Sequence, residues 1–166
     1  MDEILESLKE LDLSGFEDDE MIRRLTNWIF ERLCADWDNR LEIITKLPAA
    51  CQYVYACRLA VNEIANGGLL QFYFNSSGVF ARLAERGFED IGAYRLAELM
   101  RRANEIYTQS KAELDGYNDG TTEGYSGADE REFFAALDDA FYKECEFLQF
   151  EEICSRYMYR QPIFST

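Results

Sequence analysis

Histidine is absent from this 166-residue sequence. Histidine supplies the general base in most Ser–His–Asp and Cys–His sites, and it is the commonest metal-binding side chain in proteins. Its absence therefore excludes His-based nucleophilic catalysis, HExxH zinc sites and most transition-metal chemistry. A catalytic site would have to use carboxylates or tyrosine instead.

Long apolar runs and a basic N-terminus are also missing. No run approaches the roughly 18 residues of a membrane-spanning helix, and the first residues are acidic, unlike the positive start of a secretory signal. The cysteines include no C-x-x-C pair, which favours reduced thiols over disulfides or a metal site. We expect a cytosolic protein that needs no cofactor or metal and contacts no membrane. The cysteines are Cys34, Cys51, Cys57, Cys145 and Cys154.

Basic residues are scarce as well. Lys and Arg number 17 against 32 Asp and Glu, which gives a net charge of −15 at pH 7 and an isoelectric point near 4.4. A chain this acidic repels nucleic acid and anionic lipid. Its natural electrostatic partners are cations and basic proteins, so we expect it not to bind nucleic acid directly.

Apolar residues recur at helical rather than strand spacing over most of the chain. Hydrophobic residues make up 48% of the sequence and only two residues are proline, which predicts an all-α protein, a single compact multi-helix domain over residues 1–166. The glycine-rich stretch 115–128 lacks periodicity and is expected to form a long loop before the C-terminal helices. The predicted helices cover about residues 2–11, 18–36, 38–46, 49–65, 69–74, 79–86, 90–114 and 129–159.

The negative charge is concentrated in two segments. Residues 1–20 carry a net charge of −8 and residues 105–152 carry −11, whereas residues 21–104 carry +2. If 129–159 is one helix, Glu132, Asp139 and Glu146 recur every seven residues and line one face, spaced roughly 10 Å apart, with Asp138 beside them. Such a stripe is usually a solvated helix face. Here few Lys or Arg alternate with the acids. Uncompensated charge opposes folding, so this concentration of acids indicates that their negative electrostatic field serves a function.

Carboxylates also bind metal ions, so a calcium site is an alternative explanation for the concentration of acids. Residues 115–126 place Asp115, Asp119, Gly120 and Glu123 at positions one, five, six and nine of an EF-hand loop. Position three is Tyr117, however, and position twelve is Ser126, where a bidentate Glu is required. The pattern does not predict an EF-hand. A glycosidase-like pair of carboxylates stays open, since nothing singles out two of the acids.

The stretch NEIANGGLLQFYFNSSG, residues 62–78, combines two adjacent glycines, amides and three consecutive aromatic residues. Asn66-Gly67-Gly68 is expected to end the preceding buried helix, because glycine adopts the left-handed cap readily. Gln71 and Asn75 are one helical turn apart and are expected to satisfy backbone groups at the corner. We interpret the stretch as a packed helix-to-helix corner in preference to a ligand pocket.

The same stretch resembles the signature of a bacterial family of small, acidic DNA-mimic proteins. The matching features are Asn66-Gly67-Gly68, then Gln71, the aromatic residues 72–74, Asn75-x-x-Gly78 and the downstream Ile91-Gly92-Ala93. The resemblance covers about residues 51–106. It implies a mostly helical dimer that presents carboxylates to a helix-turn-helix transcription regulator and keeps that regulator off DNA. The motif itself contains no mimicry residues, which must come from the surface acids.

We therefore predict a binding protein, not an enzyme: a cytosolic homodimer whose carboxylates imitate DNA phosphates for a basic DNA-binding protein. Two alternatives remain open, an immunity-type inhibitor of a basic toxin nuclease and a carboxylate enzyme that uses a divalent metal. The predicted partner-binding residues are Asp18, Asp19, Glu20, Asp115, Asp119, Glu123, Asp129, Glu132, Asp138, Asp139 and Glu146.

Overall fold

A computed structural model describes residues 2–13 and 15–162, so positions 1 and 14 of the N-terminal acidic segment lie outside the described residues. Within them the chain forms helices and no strand, which confirms the all-α prediction. Short 3₁₀ turns at Trp37–Asn39 and Ser76–Phe80 precede the third and fifth α-helices. The α-helices are α1 (Asp2–Lys9), α2 (Asp18–Ala35), α3 (Arg40–Thr45), α4 (Ala49–Phe74), α5 (Ala81–Asp90), α6 (Tyr94–Gln109), α7 (Lys111–Tyr117), α8 (Thr122–Asp129), α9 (Ala135–Phe147) and α10 (Phe150–Tyr159).

Helix α4 forms the centre of the core. It contains only two charged residues, Arg58 and Glu63, and packs against α2, α5, α9 and α10. Val54, Ile64 and Phe72 are fully buried along its length. Each buried side chain of this size contributes about 1.5–3 kcal/mol of transfer free energy, so the other helices assemble around α4.

Helix α4 bends at its two glycines. Gly67 has φ −164° and Gly68 has φ 75° with ψ −179°, a conformation that disfavours any side chain. The predicted interruption at residues 66–68 is thus confirmed as a kink, after which the chain continues as helix to Phe74. The kink redirects the chain, so Phe72 and Tyr73 enter the core.

Several predicted boundaries are wrong because glycine also permits close packing. Gly87 was expected to end a helix, yet it lies inside α5. A Cβ there would sit 2.6 Å from Cys57 Sγ and 3.0 Å from the Tyr53 carbonyl oxygen, so Gly87 lets α5 approach α4. The predicted helix 90–114 is divided by a turn at 91–93 and again at Ser110.

The glycine-rich stretch 115–128 is mostly helical, so the expected long loop is wrong. Only residues 118–121 separate α7 from α8. Thr121 caps α8 by accepting a hydrogen bond from the Gly124 N–H at 3.0 Å. A Cβ on Gly124 would lie 2.2 Å from the Tyr117 carbonyl oxygen, so this glycine serves close contact between the two helices.

Candidate functional site: a carboxylate-rich segment clamped to the corner of α4

The acids of residues 119–146, here called the C-terminal acidic segment, have no cationic partner. Within the described part of the chain none of them forms an ion pair, and Arg131 of this segment pairs outward with Glu113 at 2.8 Å. All are exposed except Asp138 and Glu144, which are half-buried. The segment therefore presents uncompensated negative charge. Its acids are Asp119, Glu123, Asp129, Glu130, Glu132, Asp138, Asp139, Glu144 and Glu146.

The expected seven-residue stripe on one helix is wrong. The region 129–159 is divided into the end of α8, α9 and α10, with non-helical residues at 130–134 and 148–149. Glu132 lies in the first of these breaks, with φ 51°. Asp139 and Glu146 still share a face of α9, two turns and roughly 10 Å apart along the axis.

Four of the predicted acids nevertheless lie close together. Asp129, Glu132 and Asp138 line one cleft of about 200 Å³ between the turn before α9 and Leu70 of α4. Burial raises the pKa of Asp138, and repulsion from Asp129 and Asp139 raises it further. The break at 130–134 folds the chain back, so acids from α8, the turn and α9 meet.

Asp138 also has a structural partner. Its Oδ1 accepts a hydrogen bond at 2.7 Å from the backbone N–H of Leu69, which follows the kink. A Cβ on Gly68 would lie 3.0 Å from Asp138 Oδ2. The carboxylate therefore acts as the N-terminal cap of the second half of α4, which no sequence spacing indicated.

Two tyrosines of the same segment bind the other side of the kink. The hydroxyl of Tyr142 donates to the Ile64 carbonyl oxygen at 2.7 Å, and that of Tyr125 donates to the Gly67 carbonyl oxygen at 3.1 Å. Both carbonyls lie where the first half of α4 ends at the kink. The corner thus fixes α8 and α9 in place.

The polar residues of the corner motif bind each other. Gln71 Nε2 and Asn75 Nδ2 donate to the same oxygen of Glu63, at 3.1 and 2.8 Å. The expectation that these amides satisfy backbone groups is wrong, because the Glu63 carboxylate takes both. A Cβ on Gly67 would collide with Gln71 Oε1 at 2.1 Å. These contacts support a structural role for the corner.

Other predicted site residues carry local partners. Glu20 accepts hydrogen bonds from Arg23 and Arg24, and the bond from Arg23 is the main cause of its lowered pKa. Asp115 pairs with Lys111 at 2.6 Å. Asp119 accepts from the Thr121 hydroxyl at 2.6 Å and from its N–H, which lowers the Asp119 pKa. Adjacent bases therefore neutralise Glu20 and Asp115, whereas the hydrogen bonds of Asp119 leave its charge uncompensated.

Asp18 and Asp19 begin α2, and neither forms an ion pair with a described residue. The Asp18 carbonyl oxygen accepts a hydrogen bond from Ser155 Oγ of α10 at 3.2 Å. No hydrogen bond or ion pair between described residues joins Asp18, Asp19 or Glu20 to the C-terminal acidic segment. The structure places this N-terminal group beside α10 instead.

Sequence reasoning missed Glu130 and Glu144, which belong to the same unpaired set. Neither has a Lys or Arg three or four positions away. On a helix these are the positions from which a base neutralises an acid. That simple search would have found both.

Within the described residues, no three or more Cys, Asp or Glu side chains are arranged to hold a metal ion. No helix there combines the length and apolarity that crossing a bilayer requires.

Cys51 is buried and forms no disulfide, and burial raises the pKa of its thiol to about 12.

One comparison with known proteins identifies a family. The model of the family described as DMP19-like protein matches residues 45–161, from before α4 to the end of α10. No curated protein and no solved structure gives a significant match. This corrects the resemblance drawn from the sequence, which named a family of DNA mimics and covered about residues 51–106. The matched family's description names no DNA mimicry, and the match includes the C-terminal acidic segment.

Proposed function

The chain belongs to the DMP19-like family, and we propose that it is a DNA mimic, a binding protein rather than an enzyme. In this proposal the C-terminal acidic segment occupies the DNA-binding site of a basic protein, such as a helix-turn-helix transcription regulator, and blocks DNA binding. Family membership names neither partner nor mechanism. The observation that carries the proposal is the absence of any ion pair on the acids of residues 119–146 in the described structure.

Several acids elsewhere form the short-range ion pairs that are typical of a solvated helix face. Arg101 pairs with Glu98 at 2.7 Å and with Glu105 at 2.6 Å, and Arg156 pairs with Glu152. Such pairs at three or four positions keep a helix surface nearly neutral. Uncompensated carboxylates repel one another and oppose folding, so their concentration in one segment supports a role in binding a cationic surface.

The corner supplies rigidity for this role. Asp138, Tyr125 and Tyr142 attach α8 and α9 to the backbone of α4. A surface held in place before binding loses little conformational entropy on association. DNA likewise presents about one negative charge per 1.7 Å of its axis on a stiff scaffold. The exposed Glu123, Asp129 and Asp139 are the strongest candidates for contact with Arg and Lys of the partner.

The N-terminal acids fit the proposal less directly. Asp18 and Asp19 carry free charge at the start of α2, and in our proposal they form a second contact beside α10. Glu20 and Asp115 must first release their own Arg and Lys partners, so we assign them minor contributions.

The test is a pull-down from bacterial lysate at low salt with competition by duplex DNA. A neutralised variant carries Glu123→Gln, Asp129→Asn, Glu130→Gln and Asp139→Asn. We expect wild type to retain a DNA-binding protein that DNA displaces, and the neutralised variant to lose it. Retention by both proteins would overturn the assignment of the surface.

A matched control separates local from overall charge. It carries Glu6→Gln, Glu42→Gln, Glu98→Gln and Glu105→Gln, which change net charge equally but remove acids that have ion-pair partners and lie outside the C-terminal acidic segment. We expect the control to keep the partner. Recovery of a nuclease whose activity is inhibited, in place of a transcription regulator, would favour an immunity-type inhibitor.

We also propose that the protein is a homodimer. Of the two tryptophans, Trp28 is 8% exposed and lies under the Arg32 guanidinium, whereas Trp37 is 37% exposed. Trp37 is therefore the better candidate. Light scattering on the wild type and on Trp37→Ser tests this, and a monomeric wild type would overturn it.

A further inference from the structure

A groove separates α3 from α5, and no acid of the C-terminal acidic segment lines it. Leu41 and Ile44 of α3 form one wall, Val79 and Leu83 form the other, and Arg82 and Arg86 stand at the rim. Its volume is about 270 Å³. The lining is mainly aliphatic.

The groove exposes apolar surface that folding has left uncovered. Leu41 is 49% exposed and Val79 is 42% exposed. Among the described residues these are the only large aliphatic side chains that are this exposed, and both line the same groove. Two half-exposed aliphatic side chains in one groove form a small apolar patch on the surface.

The spacing of the walls matches a helix. One wall follows helical spacing along the 3₁₀ turn before α5 and then along α5. Its residues occupy relative positions 0, 3, 4 and 7, which are Val79, Arg82, Leu83 and Arg86. Leu41 and Ile44 are likewise three residues apart on α3. Two such ridges accept the apolar face of a third helix between them.

The rim charge selects the sign of the occupant. Arg86 is exposed and forms no ion pair with any described residue, and Arg82 donates to Glu85 at 3.1 Å while staying largely exposed. The groove also lies within residues 21–104, whose net charge is +2. An acidic ligand therefore meets local attraction here despite the overall charge of −15.

From this geometry we propose that the α3–α5 groove docks an amphipathic helix of a protein partner, with an apolar ridge flanked by Asp or Glu. Leu41, Val79 and Leu83 contact the ridge, and Arg86 pairs with a flanking carboxylate. The site has the opposite electrostatic preference to the C-terminal acidic segment. The two proposals are therefore independent.

The probe is a labelled synthetic amphipathic helix with leucines at positions 0, 3, 4 and 7, made with flanking Glu or flanking Gln and followed by fluorescence anisotropy. A Lys-flanked peptide is avoided, because the acidic segment would attract it. We expect the Glu peptide to bind about two- to five-fold more tightly than the Gln peptide, the gain of one exposed charge pair. Equal binding, or no saturable binding of the Glu peptide, overturns the proposal.

Variants locate the binding. Arg86→Glu is expected to remove the preference for the Glu peptide, and Val79→Ser to weaken both peptides. Arg102→Glu is the matched control, because Arg102 is also exposed without an ion pair in the described structure but lies on α6. We expect it to behave as wild type, and loss of the preference in this control overturns the local assignment.

A second copy of the chain is the competing occupant. Light scattering on the wild type and on Val79→Glu separates the two, with far-ultraviolet circular dichroism showing that the variant folds. An unchanged oligomeric state supports a different partner. A dimer that Val79→Glu dissociates would assign the groove to self-association and overturn the proposal.

Discussion

Asp138 and Leu69 are 69 residues apart in sequence, and Asp138 Oδ1 accepts the Leu69 N–H at 2.7 Å. This bond joins the most acidic part of the chain to the kink of its central helix. Asp138, half-buried beside two other aspartates, contributes both to the fold and to the proposed binding surface.

Removal of this acceptor should destabilise the protein. Asp138→Ala leaves the Leu69 N–H without its partner, and we expect the free energy of unfolding to fall by about 1 kcal/mol. Urea unfolding measures the effect. Asp139→Ala on the same turn is the matched control, since Asp139 is exposed and has no hydrogen bond in the described structure. Equal effects of the two changes would show that the cap contributes little.

Stability should depend on pH through Asp138. Its pKa lies above the ordinary value of 3.8, because burial and the charges of Asp129 and Asp139 outweigh the lowering effect of the Leu69 N–H bond. The folded state therefore holds this proton more tightly than the unfolded state, and the contribution of Asp138 to stability falls as pH rises from 3.8 through the raised pKa.

Asp138→Asn removes the titration and retains an acceptor oxygen. We expect the stability of this variant relative to wild type to increase as pH rises through that window. Urea unfolding of both proteins at several pH values from about 4 to about 7 checks the sign. A constant difference across the window would contradict the prediction.

Gly68→Ala should be costly, and Gly116→Ala should not. Gly68 has φ 75°, and its Cβ would press on the Asp138 carboxylate at 3.0 Å, so we expect a loss of about 1–2 kcal/mol. Gly116 lies in α7 with a negative φ and nothing within 4 Å of an added Cβ. Alanine there should be neutral or stabilising by up to about 1 kcal/mol. Thermal melting of both variants tests the contrast.

The kink of α4 and the glycine-rich stretch 115–128 show which backbone features the sequence predicts and which it does not. Asn66-Gly67-Gly68 predicted an interruption correctly, because a local backbone requirement is visible in local sequence. Glycine gave wrong predictions of a helix end at Gly87 and of a loop at Gly124. At both positions a side chain would collide with an atom of another helix or turn. Sequence spacing does not show what a glycine faces.

The candidate site divides in the same way. The net charge of a segment can be counted directly from its residues, and this count directed attention to the region of Asp129 and Asp139. The positive φ of Glu132 and the bond from Leu69 to Asp138 depend on the tertiary fold. The stripe inferred for a continuous helix was therefore wrong, although one of its members, Glu132, does meet Asp129 and Asp138 in one cleft.

Divalent metals should act on this protein only as salt. Asp129, Glu132 and Asp138 share a cleft, yet the described carboxylates contain no group of three placed to hold an ion. We expect Mg²⁺, Mn²⁺ and Ca²⁺ to shift the melting temperature no more than NaCl at equal ionic strength, which screens the same repulsion. A larger shift with one ion, lost in Asp129→Asn, would favour the metal-dependent enzyme considered above.

Association with the basic partner should be fast and sensitive to salt. Unpaired carboxylates attract Arg and Lys over about a Debye length, which is about 10 Å at 0.1 M salt and 30 Å at 0.01 M. Once the pull-down has supplied the partner, stopped-flow measurement should show the association rate falling steeply as salt rises between these concentrations, with the dissociation rate changing less.

The variant neutralised at Glu123, Asp129, Glu130 and Asp139 should associate more slowly and with a shallower salt dependence. The control neutralised at Glu6, Glu42, Glu98 and Glu105 should resemble wild type, because those acids have cationic partners outside the C-terminal acidic segment. Equal salt slopes in all three proteins would mean that net charge, rather than the C-terminal acidic segment, governs the encounter.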